Sequence, residues 1–313
     1  MTLAIAGGTG LIGKAIVQNW LSQGKKVLVL GRSKERIQKV FANNVEAVTY
    51  DECAAAPEQY FREVACIVNL AGANIADKRW TASRKASILN SRVKITKHIS
   101  AICAKLAYQK ITLINASAVG VYGLQPLLAT GLPERLDEGT PLLQEHAETF
   151  LEKVCFAWEE ATRAAKDAGV RVVNARLGVV LAKEGGALQK MALPFYMFAG
   201  GPMGSGRQAL AWISLKDVIR AMDFLLEEGG ISGPVNLVAP ECLTQKNFAG
   251  VLGRVLHRPS FMPTPGVILK IALGQMAEEL LLNGAHVYPA RLIQAGFTFQ
   301  YPHAQAALQD IYS

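Results

Sequence analysis

Along this chain, short unbroken apolar runs alternate with stretches whose apolar positions recur at helical spacing. Residues 2–6 are the first apolar run. "LIGKAIVQNWLSQG" follows, with Leu11, Ile12, Ile16, Val17, Trp20 and Leu21 spaced for one helix face and Gly24 to close it. "KKVLVLG" is continuous rather than alternating, the pattern of a strand covered on both faces. "ACIVNLAG", "KITLINASA" and "VRVVNARLGVVL" read as later strands, with helices at roughly 83–106 and 147–168 between them. The alternation predicts an α/β fold, a doubly wound parallel sheet, over residues 1–180.

Past residue 185 the pattern loosens into a glycine-rich stretch, regains a helix at Lys216–Glu228, gives one more short strand in "PVNLVAP", and ends in helices and loops from Thr244. This divides the chain into an α/β domain over 1–183, to which 213–240 returns, and a smaller, mostly helical lobe built from 184–212 and 241–313.

Composition changes this picture little. Half of the 313 residues are apolar and 19% are charged, ordinary for a chain with a full core. The net charge of +8 is spread along the chain instead of gathered in a block, which suits one or two anion sites and no nucleic-acid partner. Cys53, Cys66, Cys103, Cys155 and Cys242 are odd in number and form no CxxC pair, arguing against a disulfide framework and a zinc site. The five histidines lack ligand spacing, so no metal is expected. "VILKIALGQMAEELLL" carries Lys270 and two glutamates and is expected as a helix on a core, with no membrane partner. The N-terminus enters a strand at once, so no signal peptide is expected and the cytoplasm is the default.

The strongest chemical signal is "AIAGGTGLIG". Gly7, Gly10 and Gly13 stand between a strand and an amphipathic helix, where backbone must approach a pyrophosphate at a helix N-terminus. At the end of the second strand, where NAD sites place an acid, this chain has Gly31-Arg32-Ser33-Lys34. Arg32 suits a 2′-phosphate and Ser33 offers another hydrogen bond, so NADP(H) is expected over NAD(H).

Further stretches follow in order: "VNLAGANIADKRWT", "NSRVKIT", "NASAVGVYG", "ARLGVVLAKEGGAL", "GGPMGSGRQALAWISLKDV" and "GPVNLVAP". With these the chain resembles the extended or atypical short-chain dehydrogenase/reductases, in particular the epimerase-like subgroup of the NAD-dependent epimerase/dehydratase family. Its tail, "LLLNGAHVYPARLIQAGFTFQYPHAQAALQDI", resembles that subgroup's C-terminal domain. The resemblance implies a Rossmann fold with a substrate lobe. It implies cofactor contacts at Gly7, Thr9, Gly10, Leu11, Ile12, Gly13, Arg32, Ser33, Leu70, Ala71 and Gly72, with Arg176 and Gly178 near the nicotinamide. Homodimers are common in that superfamily.

The chain departs from that family's catalytic pattern. A serine, a tyrosine and a lysine four residues later ordinarily move the proton while hydride moves at carbon. In "ETFLEKVCFAWEE" the tyrosine and lysine positions fall on Leu151 and Cys155, and a one-residue shift gives Phe150 and Val154. The serine position falls on Ala118, with Ser117 one residue earlier. Ser117 either stands in for it or bonds backbone; Cys155 is either an acid–base thiol or a small buried residue; Tyr122 either meets substrate or packs. Lys78, Arg79 and Trp80, and Arg207, Gln208 and Trp212, are substrate-contact candidates, with packing as the alternative for the first three. Ser214 replaces the superfamily's histidine, Asp217 is expected to cap or orient that loop, and Arg92 replaces an asparagine. Two functions follow. One is an NADP-dependent oxidoreductase or epimerase acting on a small-molecule carbonyl or nucleotide-linked sugar. The other is a catalytically impaired NADP(H)-binding sensor or scaffold.

Overall fold

The structure, a computed structural model, describes residues 2–313. Eleven strands run in chain order: β1 Thr2–Ala6, β2 Lys26–Gly31, β3 Glu46–Thr49, β4 Val64–Asn69, β5 Thr112–Ala118, β6 Arg171–Leu177, β7 Val179–Leu181, β8 Ala209–Leu210, β9 Trp212–Ser214, β10 Gly233–Leu237 and β11 Leu243–Thr244. Seven form one sheet in the order β10-β6-β5-β4-β1-β2-β3, every neighbouring pair parallel. The order reverses between β1 and β4, so the crevice for a ligand lies at the carboxyl ends of those two strands.

Side chains on β1 alternate between two cores. Leu3 and Ile5 join Ile16, Val17, Trp20, Val218 and Met222 on one face; Ala4 and Ala6 join Phe61, Ile99, Ile102 and Leu113 on the other. The helices Leu11–Ser22 and Leu215–Glu227 cover the first face, locked together by Trp20 and Asn19 donating to the Asp223 carboxylate at 2.8 Å each. A separate core, with Leu188, Phe195, Trp212, Phe248, Leu252 and Leu308, holds the second lobe.

Most predicted elements appear within a residue or two of their expected bounds. Three differences have physical causes. β3 carries only four residues and lies at the sheet edge, too short to give a periodic signal. "VRVVNARLGVVL" is two strands, because Gly178 sits where a Cβ would meet the Ala211 carbonyl oxygen at 2.8 Å; the chain bends there and β7 pairs with β9 instead. The stretch expected as one core helix is broken at Gly274 (φ +63°), and its first part, Gly266–Leu273, buries no residue at all. Among the described residues no helix is long and apolar enough to cross a membrane, and no group of His, Cys, Asp or Glu is placed to hold a metal. All five cysteines are free.

Candidate functional site

At the carboxyl end of β1 the turn closes with the Gly10 amide donating to the Gly7 carbonyl at 3.0 Å. Gly7 has φ +80°, and a Cβ there would come within 2.8 Å of the Leu70 backbone. A Cβ on Gly13 would meet the Gly7 oxygen at 2.4 Å. These two glycines are demanded by the turn itself. Gly10 is different: its backbone is extended, and its Cβ would meet nothing closer than 3.4 Å. It is the N-cap of Leu11–Ser22 with no side-chain cap, so the first helical N–H groups face open space with the positive end of the dipole behind them. Thr9 and Ile12 are partly exposed beside it, and Leu11 supports Gly186 of the second lobe.

Leu70, Ala71 and Gly72 leave β4 directly opposite this turn. Leu70 donates to the Ala6 carbonyl at 2.9 Å, and Ala71 to the Asn69 side chain. Asn69 is fully buried and donates to Thr96 and Asn115, and Trp158 also donates to Thr96, a closed polar cluster that fixes the strand end. Arg92 donates to the carbonyls of Ala73 and Ile88 at 3.0 Å and stacks on Trp158, so it replaces an asparagine as a structural tether of the loop after β4. At the end of β2, Arg32 is exposed and has no hydrogen-bond or ion-pair partner among the described residues. Ser33 caps the helix Lys34–Phe41 through Arg36 N and gives its hydroxyl proton to Glu35 at 2.6 Å.

The proton-transfer half of the site is built otherwise. Leu151 and Cys155 both stand against Gly120, one helical turn apart on Phe150–Glu160, the register expected for the tyrosine and lysine. Cys155 is buried, and burial followed by the Glu159 charge pushes its thiol up to about 12. It is protonated at neutral pH and is no ready base. One further turn along the same face, Glu159 accepts from Ser117 at 2.7 Å and from the Arg176 guanidinium at 2.9 and 3.0 Å. Arg176 also donates to the Tyr122 hydroxyl at 3.1 Å, and Tyr122 donates to Asn236 at 2.9 Å. Burial opposes the Arg176 charge, yet the paired Glu159 carboxylate outweighs it and holds the guanidinium above its ordinary pKa. Burial raises the Tyr122 phenol against the pull of Arg176, so its proton stays on. Asn236 continues the chain to the Tyr288 carbonyl and, through its own N–H, to Glu138.

Sequence reasoning missed Glu159 as a functional residue. The signal was there: an arginine predicted at a buried strand end needs an acid, and Glu159 stands four residues beyond Cys155. The remaining candidates separate by burial. Lys78 and Arg79 are exposed; Trp80 is buried, donates to the Ile75 carbonyl, and packs edge-on against Phe150 beside Met276 of the second lobe. Arg207 is exposed, whereas Gln208 donates to the carbonyls of Met203 and Leu281, and Trp212 is fully buried in the second core. Asp217 orients its loop as expected: it accepts from Ser214 and from the amides of Gln300 and Tyr301.

A seven-stranded parallel sheet with a glycine turn at its switch point and a helical C-terminal lobe defines the class, a Rossmann-type dinucleotide-fold protein. The model of the NAD dependent epimerase/dehydratase family matches residues 3–237, and a domain of unknown function (DUF1731) matches residues 264–311. The chain belongs to that epimerase/dehydratase family. It is 36% identical over 311 residues to the epimerase family protein YfhF of Bacillus subtilis, covering 99% of this chain and 98% of that one. It is 36% identical to the chloroplastic epimerase family protein SDR39U1 homolog of Arabidopsis thaliana, over 99% of this chain and 86% of that one. The crystal structure of the human epimerase family protein SDR39U1 (isoform 2) with NADPH superposes with a TM-score of 0.87 at 30% identity, covering 100% of this chain and 99% of that one.

Proposed function

We propose that this protein binds NADP(H) and is an oxidoreductase or epimerase that acts on a carbonyl or nucleotide-linked sugar without the usual tyrosine–lysine pair. The observation that carries the reading is the cradle at the switch point: an uncapped helix N-terminus behind Gly10, faced by Leu70–Gly72, with an unpartnered Arg32 at the end of the next strand. The NADPH bound in the human relative's structure supports the same choice of cofactor. When bound, the cofactor supplies or accepts the hydride. The Gly10–Gly13 backbone holds the pyrophosphate, and Arg32 holds the 2′-phosphate. Ser33 can add a bond once its hydroxyl turns from Glu35. Ser117 and Tyr122 are the only hydroxyls of the expected catalytic set near the site, and both enter the chemistry as neutral donors poised by Glu159 and Arg176.

The second reading, a cofactor-binding protein without turnover, is favoured by the closed hydrogen-bonding of those same two hydroxyls and by the apolar Leu151. Titration with NADPH and NADH tests the cofactor, and a carbonyl and sugar-nucleotide panel read at the nicotinamide absorbance tests the chemistry. Tight NADPH binding with turnover lost in Tyr122→Phe is the expected result. Binding without any turnover leaves the second reading, and binding of neither cofactor overturns both.

A further inference from the structure

Two segments of the second lobe hold no aspartate or glutamate: Gly185 through Trp212 and Cys242 through Ala277. They carry Lys190, Arg207, Lys246, Arg254, Arg258 and Lys270. The fold lays them side by side, with Met262 donating to the Gly200 carbonyl at 3.0 Å, Thr264 to Pro202 at 2.9 Å and Gly204 to Thr264 at 2.9 Å. On the joined surface Met197, Phe198, Phe261, Val267, Ile268 and Ile271 are each 57–77% exposed. Such exposure belongs to side chains that project, not to the walls of a groove.

Two features set this surface apart from scattered apolar residues. The helix Gly266–Leu273, "GVILKIAL", is apolar all round except for Lys270, yet none of its residues is buried. A helix of that composition belongs in a core or against a lipid. Phe198 ends the helix Gly186–Tyr196 region with φ +59°, a left-handed conformation where glycine is usual. A bulky side chain is held there in strain, 60% exposed, with the Arg258 guanidinium 4.7 Å over its ring. Glu184, Glu241 and Glu278 flank the two segments, and Glu278 is taken up by Lys270 at the edge of the face.

We propose that this apolar face, poor in carboxylates, docks the protein on an anionic lipid bilayer, with Phe198, Phe261 and Ile271 reaching the acyl boundary and Arg258 and Lys190 meeting the headgroups. Apolar insertion and attraction to anionic lipid are the two components that peripheral helices combine. A second copy of this chain is the poorer occupant, since a self-complementary contact sets Arg258 and Lys190 against the same cations of the other copy, while Glu278 is already paired with Lys270. The face adjoins the crevice: Gly186 rests on Leu11, Lys190 donates to the Ala76 carbonyl at 2.9 Å, and Gly274 abuts Arg79. Docking therefore sets the mouth of the site beside the membrane. It departs from the expectation of no membrane partner, which rested on the charges interrupting the apolar runs.

The test is co-sedimentation of the full chain with vesicles of phosphatidylcholine alone or with about 30 mol % phosphatidylserine. The parent protein should pellet with the anionic vesicles at least about tenfold more strongly than with neutral ones. Phe198→Gly/Phe261→Ser/Ile271→Ser should lose about tenfold of that binding while melting as the parent does. Tyr108→Ser, an equally exposed aromatic placed just before β5, should bind as the parent does. Should the triple variant prove less stable, Arg258→Glu/Lys190→Glu carries the same expectation. Failure to pellet with anionic vesicles at low salt overturns the proposal. So does triple-variant binding equal to the parent, which reduces the effect to net charge. A dimer or an acidic peptide complex that the triple variant abolishes, without vesicle binding, overturns it in favour of a protein partner.

Discussion

Glu159 and Arg176 form a buried ion pair whose remaining bonds are met by Ser117 and Tyr122, so its members are worth more together than apart. Removing one partner leaves an uncompensated buried charge. Arg176→Met or Glu159→Leu should each cost about 3–5 kcal/mol of unfolding free energy in denaturant titrations. The double variant should cost less than either alone, because no charge is then stranded. The cysteines give a second prediction at this scale. Burial pushes all five thiols up to about 12. Native protein at pH 8 should therefore react slowly with a thiol reagent, and the denatured chain should release five thiols. The sign for stability follows. Between pH 9 and 12 the unfolded chain loses thiol protons that the native chain keeps, so stability falls as pH rises through that window.

The helix Phe150–Glu160 shows how elements fix the site. Its N-terminus is closed by a Thr149–Glu152 capping box and also by Glu279 of the second lobe, which accepts from the amides of Phe150 and Leu151 at 3.1 and 2.9 Å. The lobe thereby sets the rotation of the helix that carries Leu151, Cys155 and Glu159. Glu279→Ala should cost about 1–3 kcal/mol and should raise hydrogen exchange in the first turn of that helix before the rest. The capping box has a local pattern that the sequence carries, Thr149 and Glu152 three residues apart, although it went unread above. The Glu279 contact has none, since Glu279 stands 128 positions beyond Leu151 in the chain. The same division holds elsewhere. The glycine turn and the strands β1, β2, β4 and β5 were readable because an unbroken apolar run or a single turn dictates them. The burial of Trp212 in the second core and of Gln208 beside it depends on contacts far apart in sequence, which no local pattern reports.

At the scale of the whole molecule, the order of the sheet brings β1 and β4 together and leaves Arg32 one strand away, the spacing a dinucleotide spans. The C-terminal segment is tied back to the nucleotide domain by Asp217, which takes the amides of Gln300 and Tyr301, so the two parts should unfold together. Asp217→Ala should split that transition or lower its midpoint, by about 2–4 kcal/mol in stability. Binding of NADP(H) at the switch-point cradle, with Arg32 on its 2′-phosphate, carries the proposed function. It is tested most directly by titrating the parent protein and Arg32→Ala with NADPH and NADH. The parent should prefer NADPH, and the variant should lose about 10- to 100-fold in NADPH affinity while its weak NADH affinity is unchanged. Equal affinity of the parent for the two cofactors, or an Arg32→Ala variant that binds NADPH as the parent does, would contradict it.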